Sequence, residues 1–352
     1  MNFASDNAAA VAPEILAALA RANEGSALAY GNDDWTKRVE RRFAEIFERD
    51  VAVFLVPTGT AANALALAHL TPPWGAVLCH AESHIATDEC GAPEFFGSGI
   101  KLVGLAGEAG KIAAKTLETA LVDGQWGGPH HVSPAVLSIS QATEAGTTYR
   151  SDEIRRLADI AHAHGLHVHA DGARLGNALV RMNVSPADAT WKAGVDALSF
   201  GATKGGALAA EALVFFDPAR GAGMSERRKR GGHLLSKHRF IAAQMEAYLA
   251  DDLWLKLARH ANAMADRLGE GLAAAGYQPV WTVDANEVFV ALPQRIRERL
   301  LAAGASFYPW MTGSLPKGNS LAQDHGLVRL VTSFATKPGE VEHFLATVTG
   351  KY

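Results

Sequence analysis

The sequence predicts an α/β protein with a mainly parallel central sheet covered by helices on both faces, followed by a smaller α+β unit. Three observations carry this prediction. Short apolar runs alternate with amphipathic stretches from Pro13 to Phe216, three of those runs end in glycine-bearing turns, and the alternation stops after Phe216 at a basic loop containing Gly231-Gly232. Strands that alternate with helices must be joined by crossovers, and this buries the sheet on both faces. Ligands of such sheets sit at the carboxyl ends of the strands.

Taken in order, Pro13–Ala22 and Trp35–Phe47 space their apolar residues as helices do, and Val51–Val56 is a β-branched run ending in Pro57-Thr58-Gly59-Thr60. Ala61–His69 is rich in Ala and Leu and reads as a helix. Strands follow at Ala76–Cys79, Ala135–Ser140, His167–His169, Ala197–Phe200 and Ala212–Phe216, with a helix over Ser151–His164. Beyond the basic loop, a helical region runs from Ser236 to Ala275, and the strands Glu287–Leu292 and Val328–Thr332 accompany a helix near Gln294–Ala303. These elements predict a large domain over residues 1–240, including an N-terminal arm, and a small C-terminal α+β domain over residues 241–352.

A chain of 352 residues with 48% hydrophobic content can bury a core of this size. Its net charge of -4, with acids and bases intermixed, supplies no field that would gather nucleic acid or anionic lipid. The one basic run, Arg227-Arg228-Lys229-Arg230, reads by itself as a solvated helix face. Two cysteines, Cys79 and Cys90, make neither a disulfide framework nor a metal knuckle. The start Met1-Asn2-Phe3-Ala4-Ser5-Asp6 lacks the charge, apolar core and cleavage site of a secretory signal, so a cytoplasmic protein is expected. His162, His164, His167 and His169 are dense, but no carboxylate completes a ligand set in the sequence around them, and no metal is expected.

Three features fall where a parallel sheet exposes them. Thr58-Gly59-Thr60-Ala61 follows a strand and opens a helix, which aims free N–H groups and the positive helix end at one point, as a phosphate requires; a plain N-cap fits as well. His167-Val-His-Ala-Asp171-Gly-Ala-Arg174 sets an acid just past a buried strand, where it can hold a pyridinium proton; taken alone, a helix cap or a salt bridge to Arg174 explains it better. Ser199-Phe-Gly-Ala-Thr-Lys204-Gly-Gly206 offers an amine in a glycine-rich turn with apolar neighbours. Pyridoxal phosphate (PLP) needs those three contacts together, because its phosphate, ring nitrogen and aldehyde lie at different corners of one ring. The sequence has no GxGxxG with the acid that a dinucleotide fold requires.

The same residues bring a family into view. Ser5-Asp6-Asn7, Tyr30-Gly31-Asn32-Asp33, Pro57-Thr58-Gly59-Thr60, Glu82-Ser83-His84-Ile85, Val168-His-Ala-Asp171-Gly-Ala-Arg174, Ala202-Thr-Lys204-Gly205 and Val328-Arg329-Leu330-Val331-Thr332 occur in order along nearly the whole chain. In these stretches the sequence resembles the threonine aldolase group of the β-eliminating lyases, fold type I PLP enzymes. The resemblance implies Lys204 as the Schiff-base lysine, Asp171 as the partner of the ring nitrogen, and Thr58, Gly59 and Thr60 as the phosphate cup. It implies His84 as the histidine stacked on the ring, His130 as a second active-site histidine, and Ser5, Arg174 and Arg329 as binders of the substrate α-carboxylate. Lys229 resembles a residue of a loop that reaches a neighbouring subunit's cofactor phosphate. The family often has Ser where Thr58 stands, and the segment Gln141-Ala142-Thr143-Glu144-Ala145-Gly146-Thr147 departs from its Glu-Asn-Thr-His-Asn pattern.

The implied activity is retro-aldol cleavage of β-hydroxy-α-amino acids, L-threonine, L-allo-threonine or phenylserine, to glycine and an aldehyde, with His84 or His130 as base. A homodimer or homotetramer with shared sites is expected, with no nucleic acid or membrane as partner. Two other readings share the fold: an aminotransferase, which would need a keto acid as second substrate, and a non-catalytic PLP-binding protein, against which Lys204, both arginines and His84 argue.

Overall fold

A computed structural model describes residues 1–313, 315 and 320–350 of the chain. Its strands are β1 (Ala52–Val56), β2 (Gly75–His80), β3 (Lys101–Leu105), β4 (Ser133–Ser140), β5 (His167–Gly172), β6 (Ala197–Gly201), β7 (Glu211–Phe215), β8 (Glu287–Pro293), β9 (Tyr308–Pro309) and β10 (His325–Val331). The first seven form one sheet in the order β1-β7-β6-β5-β4-β2-β3, and the last three form a small antiparallel sheet in the order β8-β10-β9. Parallel pairing runs from β3 through β2, β4 and β5 to β6.

At the far edge the expectation of alternation fails locally: β7 is antiparallel to β6, and β1 to β7. Residues 202–210 join β6 to β7, and a parallel return would need a crossover of about a dozen residues or more. That short link is the segment carrying Lys204, so the hairpin holds the lysine at the carboxyl end of β6.

Burial follows the sheet. Every residue of β2, β6 and β7 is buried, which is why these strands read as continuous apolar runs. The helix Gly59–Leu70 has almost no exposed residue, and its alanines let it lie close against the sheet. On the other face Phe200 packs edge-on against Phe43 at 5.1 Å and tilts against Trp254 at 5.3 Å.

Several elements gave no sequence signal. Strand β3 lies at the edge, exposed at Lys101 and Gly104, so it lacks an apolar run. The helices Ala114–Asp123, Leu175–Met182 and Pro338–Thr349 were also unexpected. The helix Arg239–Leu249 packs on Pro13–Ala22 and Asp34–Ile46, whereas Leu253–Ala274 touches both Leu175–Met182 and Pro338–Thr349.

The N-terminal arm does not follow the large sheet. Phe3 donates its N–H to the Ser306 carbonyl at 2.8 Å and accepts from the Val331 N–H at 2.8 Å. Its ring is fully buried, edge-on to Phe344 at 5.1 Å. The arm thus adds to the core of the small sheet and carries the residues after it back toward the large one.

Truncating Phe200 would leave a cavity between two helices and β6. Phe200→Ala is expected to lower unfolding stability by about 3–5 kcal/mol, read from the midpoint of urea denaturation.

Candidate active site

The carboxyl ends of β4, β5 and β6 and the start of the helix Gly59–Leu70 surround a cavity of about 470 Å³. Asn7, Thr58, Gly59, Thr60, Asn63, His84, Glu89, Glu144, Asp171, Arg174, Lys204 and Glu211 line it among others. A volume of that size suits a small ligand.

Thr58 does cap the helix, its hydroxyl accepting from the Ala61 N–H at 3.1 Å. Among the described residues, the N–H groups of Gly59 and Thr60 have no acceptor in the protein. A cap and free donors therefore coexist: one N–H is satisfied by the threonine, and the two before it belong to residues on the cavity wall at the positive helix end, an arrangement that suits an anion.

Asp171 ends β5, buried, and its Oδ1 accepts from the Ala173 N–H at 3.0 Å while Oδ2 accepts from Asn63 Nδ2 at 2.9 Å. Burial pushes its carboxyl up, but the charges of His84 and Lys204 and the Asn63 hydrogen bond hold it below the ordinary range. The carboxylate is thus anionic, which is the state that can pair with a protonated ring nitrogen. Its alternative as a partner of Arg174 fails, because Arg174 is taken by Asp6: Nε to Oδ2 at 2.8 Å and Nη2 to Oδ1 at 3.1 Å.

Beneath Asp171, His169 is wholly buried between the hydroxyls of Ser138 and Ser199, each at 2.9 Å. Burial lowers its imidazole to about 4, so it stays neutral. Of the neighbouring histidines, His162 and His167 do have a carboxylate that sequence reasoning overlooked: Asp196 lies 2.9 Å and 4.0 Å from them. Arg220 occupies the His167 ring nitrogens at 3.0 and 3.2 Å, and a guanidinium there opposes a cation.

Lys204 lies on the cavity wall in the turn after β6. Gly205 makes the turn possible: a Cβ there would stand 1.9 Å from the Tyr248 hydroxyl. Glu211, also on the wall, accepts from the Thr203 N–H at 3.3 Å, and burial raises its carboxyl to about 7.

His84 opens a short helix after β2, and its Nδ1 lies 2.9 Å from Glu89 Oε1. Asn63 Nδ2 also donates to that oxygen at 2.8 Å. The Glu89 hydrogen bond raises the His84 imidazole, against burial, with Asp171 adding to the rise. One buried amide therefore ties the carboxylate behind the histidine to the carboxylate at the end of β5. The ligand atoms of His84, Glu89 and Asp171 all lie within 4.8 Å of one another, a spacing that a metal ion could also use. The lysine and the anion cup on the same wall fit PLP, whose three corners match an amine, a carboxylate and free N–H groups.

The other expected residues are distributed differently. Ser5 is the N-cap of a short turn, its hydroxyl accepting from Asn7 N–H at 3.1 Å, and it lines a separate cleft with Asn2 and Ser333. Arg329 stacks over Trp310 at 4.2 Å and reaches Glu287 Oε1 at 3.9 Å, behind Arg174 rather than on the described cavity wall. His130 is exposed in the turn ahead of β4, whereas the cavity lies past the other end of that strand. Lys229 places its Nζ 4.6 Å over the Tyr30 ring, away from the cavity, and Arg228 is the buried member of the basic run, donating to the Leu55 carbonyl at 3.0 Å. The run is therefore not a uniformly solvated face.

Asn63, Glu89, Glu211, Asp6 and Glu287 escaped sequence reasoning. Asn63 sits in an alanine-rich helix, where a lone polar residue signals either a satisfied core amide or a site. In the segment that departs from the family pattern, Gln141 locks its loop through the Tyr149 backbone at 2.8 and 3.0 Å, and Ala142 and Glu144 lie on the wall.

Comparison with known proteins gives concordant findings. The family model described as beta-eliminating lyase matches residues 2–294. A low specificity L-threonine aldolase of Pseudomonas aeruginosa is 43% identical over 310 residues, 88% of this chain and 89% of that protein. The solved threonine aldolase of Leishmania major is similar with a TM-score of 0.91 at 30% identity, over 99% of this chain and 98% of that one. A serine palmitoyltransferase from S. paucimobilis, solved with bound PLP and myriocin, shares the fold with a TM-score of 0.72 at 16% identity, over 100% and 87%.

Glu89→Gln replaces the anionic acceptor that raises His84 with a neutral amide. The imidazole pKa is expected to fall toward its ordinary value of about 6.5, followed by NMR titration of the ring protons; an unchanged midpoint would acquit Glu89.

Proposed function

Because the chain belongs to the β-eliminating lyase family, we propose that it is an aldolase that uses PLP to cleave β-hydroxy-α-amino acids to glycine and an aldehyde. L-threonine and L-allo-threonine are its substrates, with phenylserine as an aryl analogue. The observation that carries this reading is one cavity bordered by Lys204, Asp171 and the free N–H groups of Gly59 and Thr60. The fold type I architecture and the similarity to the P. aeruginosa enzyme support it.

PLP, when bound, supplies an aldehyde for an amine and a protonated ring that accepts the electrons of a breaking bond. Lys204 would hold the cofactor through its side-chain amine. Gly59 and Thr60 donate to the phosphate, with Thr58 fixing the turn. Asp171, kept anionic by its surroundings, holds the proton on the ring nitrogen. His84, on the cavity wall, would stack on the cofactor ring and take the proton of the β-hydroxyl, a task that needs the neutral imidazole. His130, exposed beyond the amino end of β4, and Lys229, set against Tyr30, would act through a neighbouring subunit. Arg174 and Arg329 hold the α-carboxylate, with Ser5 at the start of the arm turn.

We place the working form as a homodimer or homotetramer with shared sites. Leu208, on the cavity wall, is 58% exposed, which supports a covering neighbour. No helix among the described residues is long and apolar enough to cross a membrane, and Cys79 and Cys90 are both free; the free thiols support a reducing, cytoplasmic setting.

Lys204→Ala should lose both turnover and the visible absorbance restored by PLP, while Asp171→Asn should keep the colour and lose roughly 100-fold or more in rate; colour and turnover in the lysine variant would remove Lys204 from the reaction. Release of glycine and aldehyde from a single β-hydroxy amino acid, without any keto acid, separates the aldolase from an aminotransferase. Since His84 acts as base with a raised pKa, kcat/KM should climb with pH through a midpoint above about 6.5, and Glu89→Gln should move that limb to lower pH.

A further inference from the structure

From Arg174 on the cavity wall inward, four charged side chains cluster, three of them buried and Arg329 partly so. Asp6 comes from the arm, Arg174 from the turn after β5, Glu287 from β8 and Arg329 from β10. Two guanidinium groups face two carboxylates, so the cluster is neutral as it stands.

The carboxylates are not equivalent. Asp6 accepts three hydrogen bonds, two from Arg174 at 2.8 and 3.1 Å and one from Asn286 Nδ2 at 3.1 Å. Glu287 is 1% exposed, and neither of its oxygens accepts a hydrogen bond from any described residue. It stands 3.3 Å from Arg174 Nη1 and 3.9 Å from Arg329 Nη1. Only the charges of these two arginines oppose the burial that pushes its carboxyl up, and both are the arginines assigned above to the substrate carboxylate.

We infer that an α-carboxylate entering this cluster replaces Glu287 as partner of the two arginines and drives a proton from solvent onto Glu287, so that substrate recognition and proton uptake are one event. The inference rests on the reading of Arg174 and Arg329 as the carboxylate grip. A third anion beside two cations leaves one negative charge in excess in a buried place, and such a charge is relieved most cheaply by protonating the carboxylate with no hydrogen bond to lose. Glu144, on the cavity wall, and Asp6 add their negative charges on the same side. Burial already pushes the Glu287 carboxyl up, opposed by Arg174 and Arg329, and a ligand that occupies those cations removes the opposition. Asp6, by contrast, is held below its ordinary range against its burial, chiefly by Arg174, and keeps its charge.

The test titrates the PLP-loaded protein with 3-hydroxybutyrate, which has the carboxylate and hydroxyl of a substrate but no amine to displace Lys204. Calorimetry in two buffers of different ionisation heat counts the protons, while the visible absorbance reports the lysine linkage separately. The wild type should take up about one proton per ligand at mildly alkaline pH, with affinity weakening up to about tenfold for each pH unit upward. Glu287→Gln should bind with uptake near zero and an affinity nearly independent of pH.

Binding that is lost in Arg329→Gln yet takes up no proton in the wild type overturns the inference, as does equal uptake in Glu287→Gln. Binding that is absent, or indifferent to Arg329→Gln, instead removes the carboxylate grip itself. Should the glutamine variant fail to fold, the wild-type proton count decides alone.

Discussion

The site depends on one side-chain amide. Asn63 donates from Nδ2 to Glu89 at 2.8 Å and to Asp171 at 2.9 Å, so the helix that begins at the anion cup, the loop after β2 and the end of β5 share a single fixed point. Two buried carboxylates this close would repel each other, and one would protonate unless donors were supplied. Asn63 supplies them at no net charge; with the charges of His84 and Lys204 they hold Asp171 below its ordinary range, while burial still leaves Glu89 above its own. Everything asked of Asp171 and His84 presupposes this arrangement, because it sets which of the two acids is ionised and which way the imidazole faces.

Much of the large domain was legible because its interior strands are apolar on both faces, and the positions of Thr58, Asp171 and Lys204 followed from strand ends alone. Their convergence on one cavity is what the parallel sheet adds. Edge strand β3 and the helix Leu175–Met182 were illegible, the first because half its residues meet solvent, the second because it follows the Asp171 turn without a capping signal. The direction of β7 is carried by the length of residues 202–210 rather than by its apolar pattern.

The supporting acids were illegible for another reason. Glu89, Glu211 and Glu287 are all buried, whereas glutamate in a sequence reads as a surface residue. Only the partners reveal them; those of Glu89 and Glu211 include residues five and eight positions away, whereas Asp6, equally overlooked, is met by Arg174 across 168 residues and by Asn286 across 280. His130 illustrates the converse. A family likeness can name a residue type at a position, but one chain puts that residue in an exposed turn beyond the amino end of β4.

The seating of Phe3 in the small core carries a consequence for biosynthesis. Residues made first on the ribosome find their partners, Ser306, Val331 and Phe344, among those made last. The large sheet has all its strands by Phe215 and can form while translation continues, but Asp6 cannot be drawn up to Arg174 by the anchored arm until the C-terminal third has emerged. Until then Arg174 is a cation facing an unfinished wall, and contacts of such long sequence separation form late and slowly. A nascent chain stalled before residue 331 would therefore hold a sheet with its lysine turn in place and an Arg174 still without its Asp6 partner.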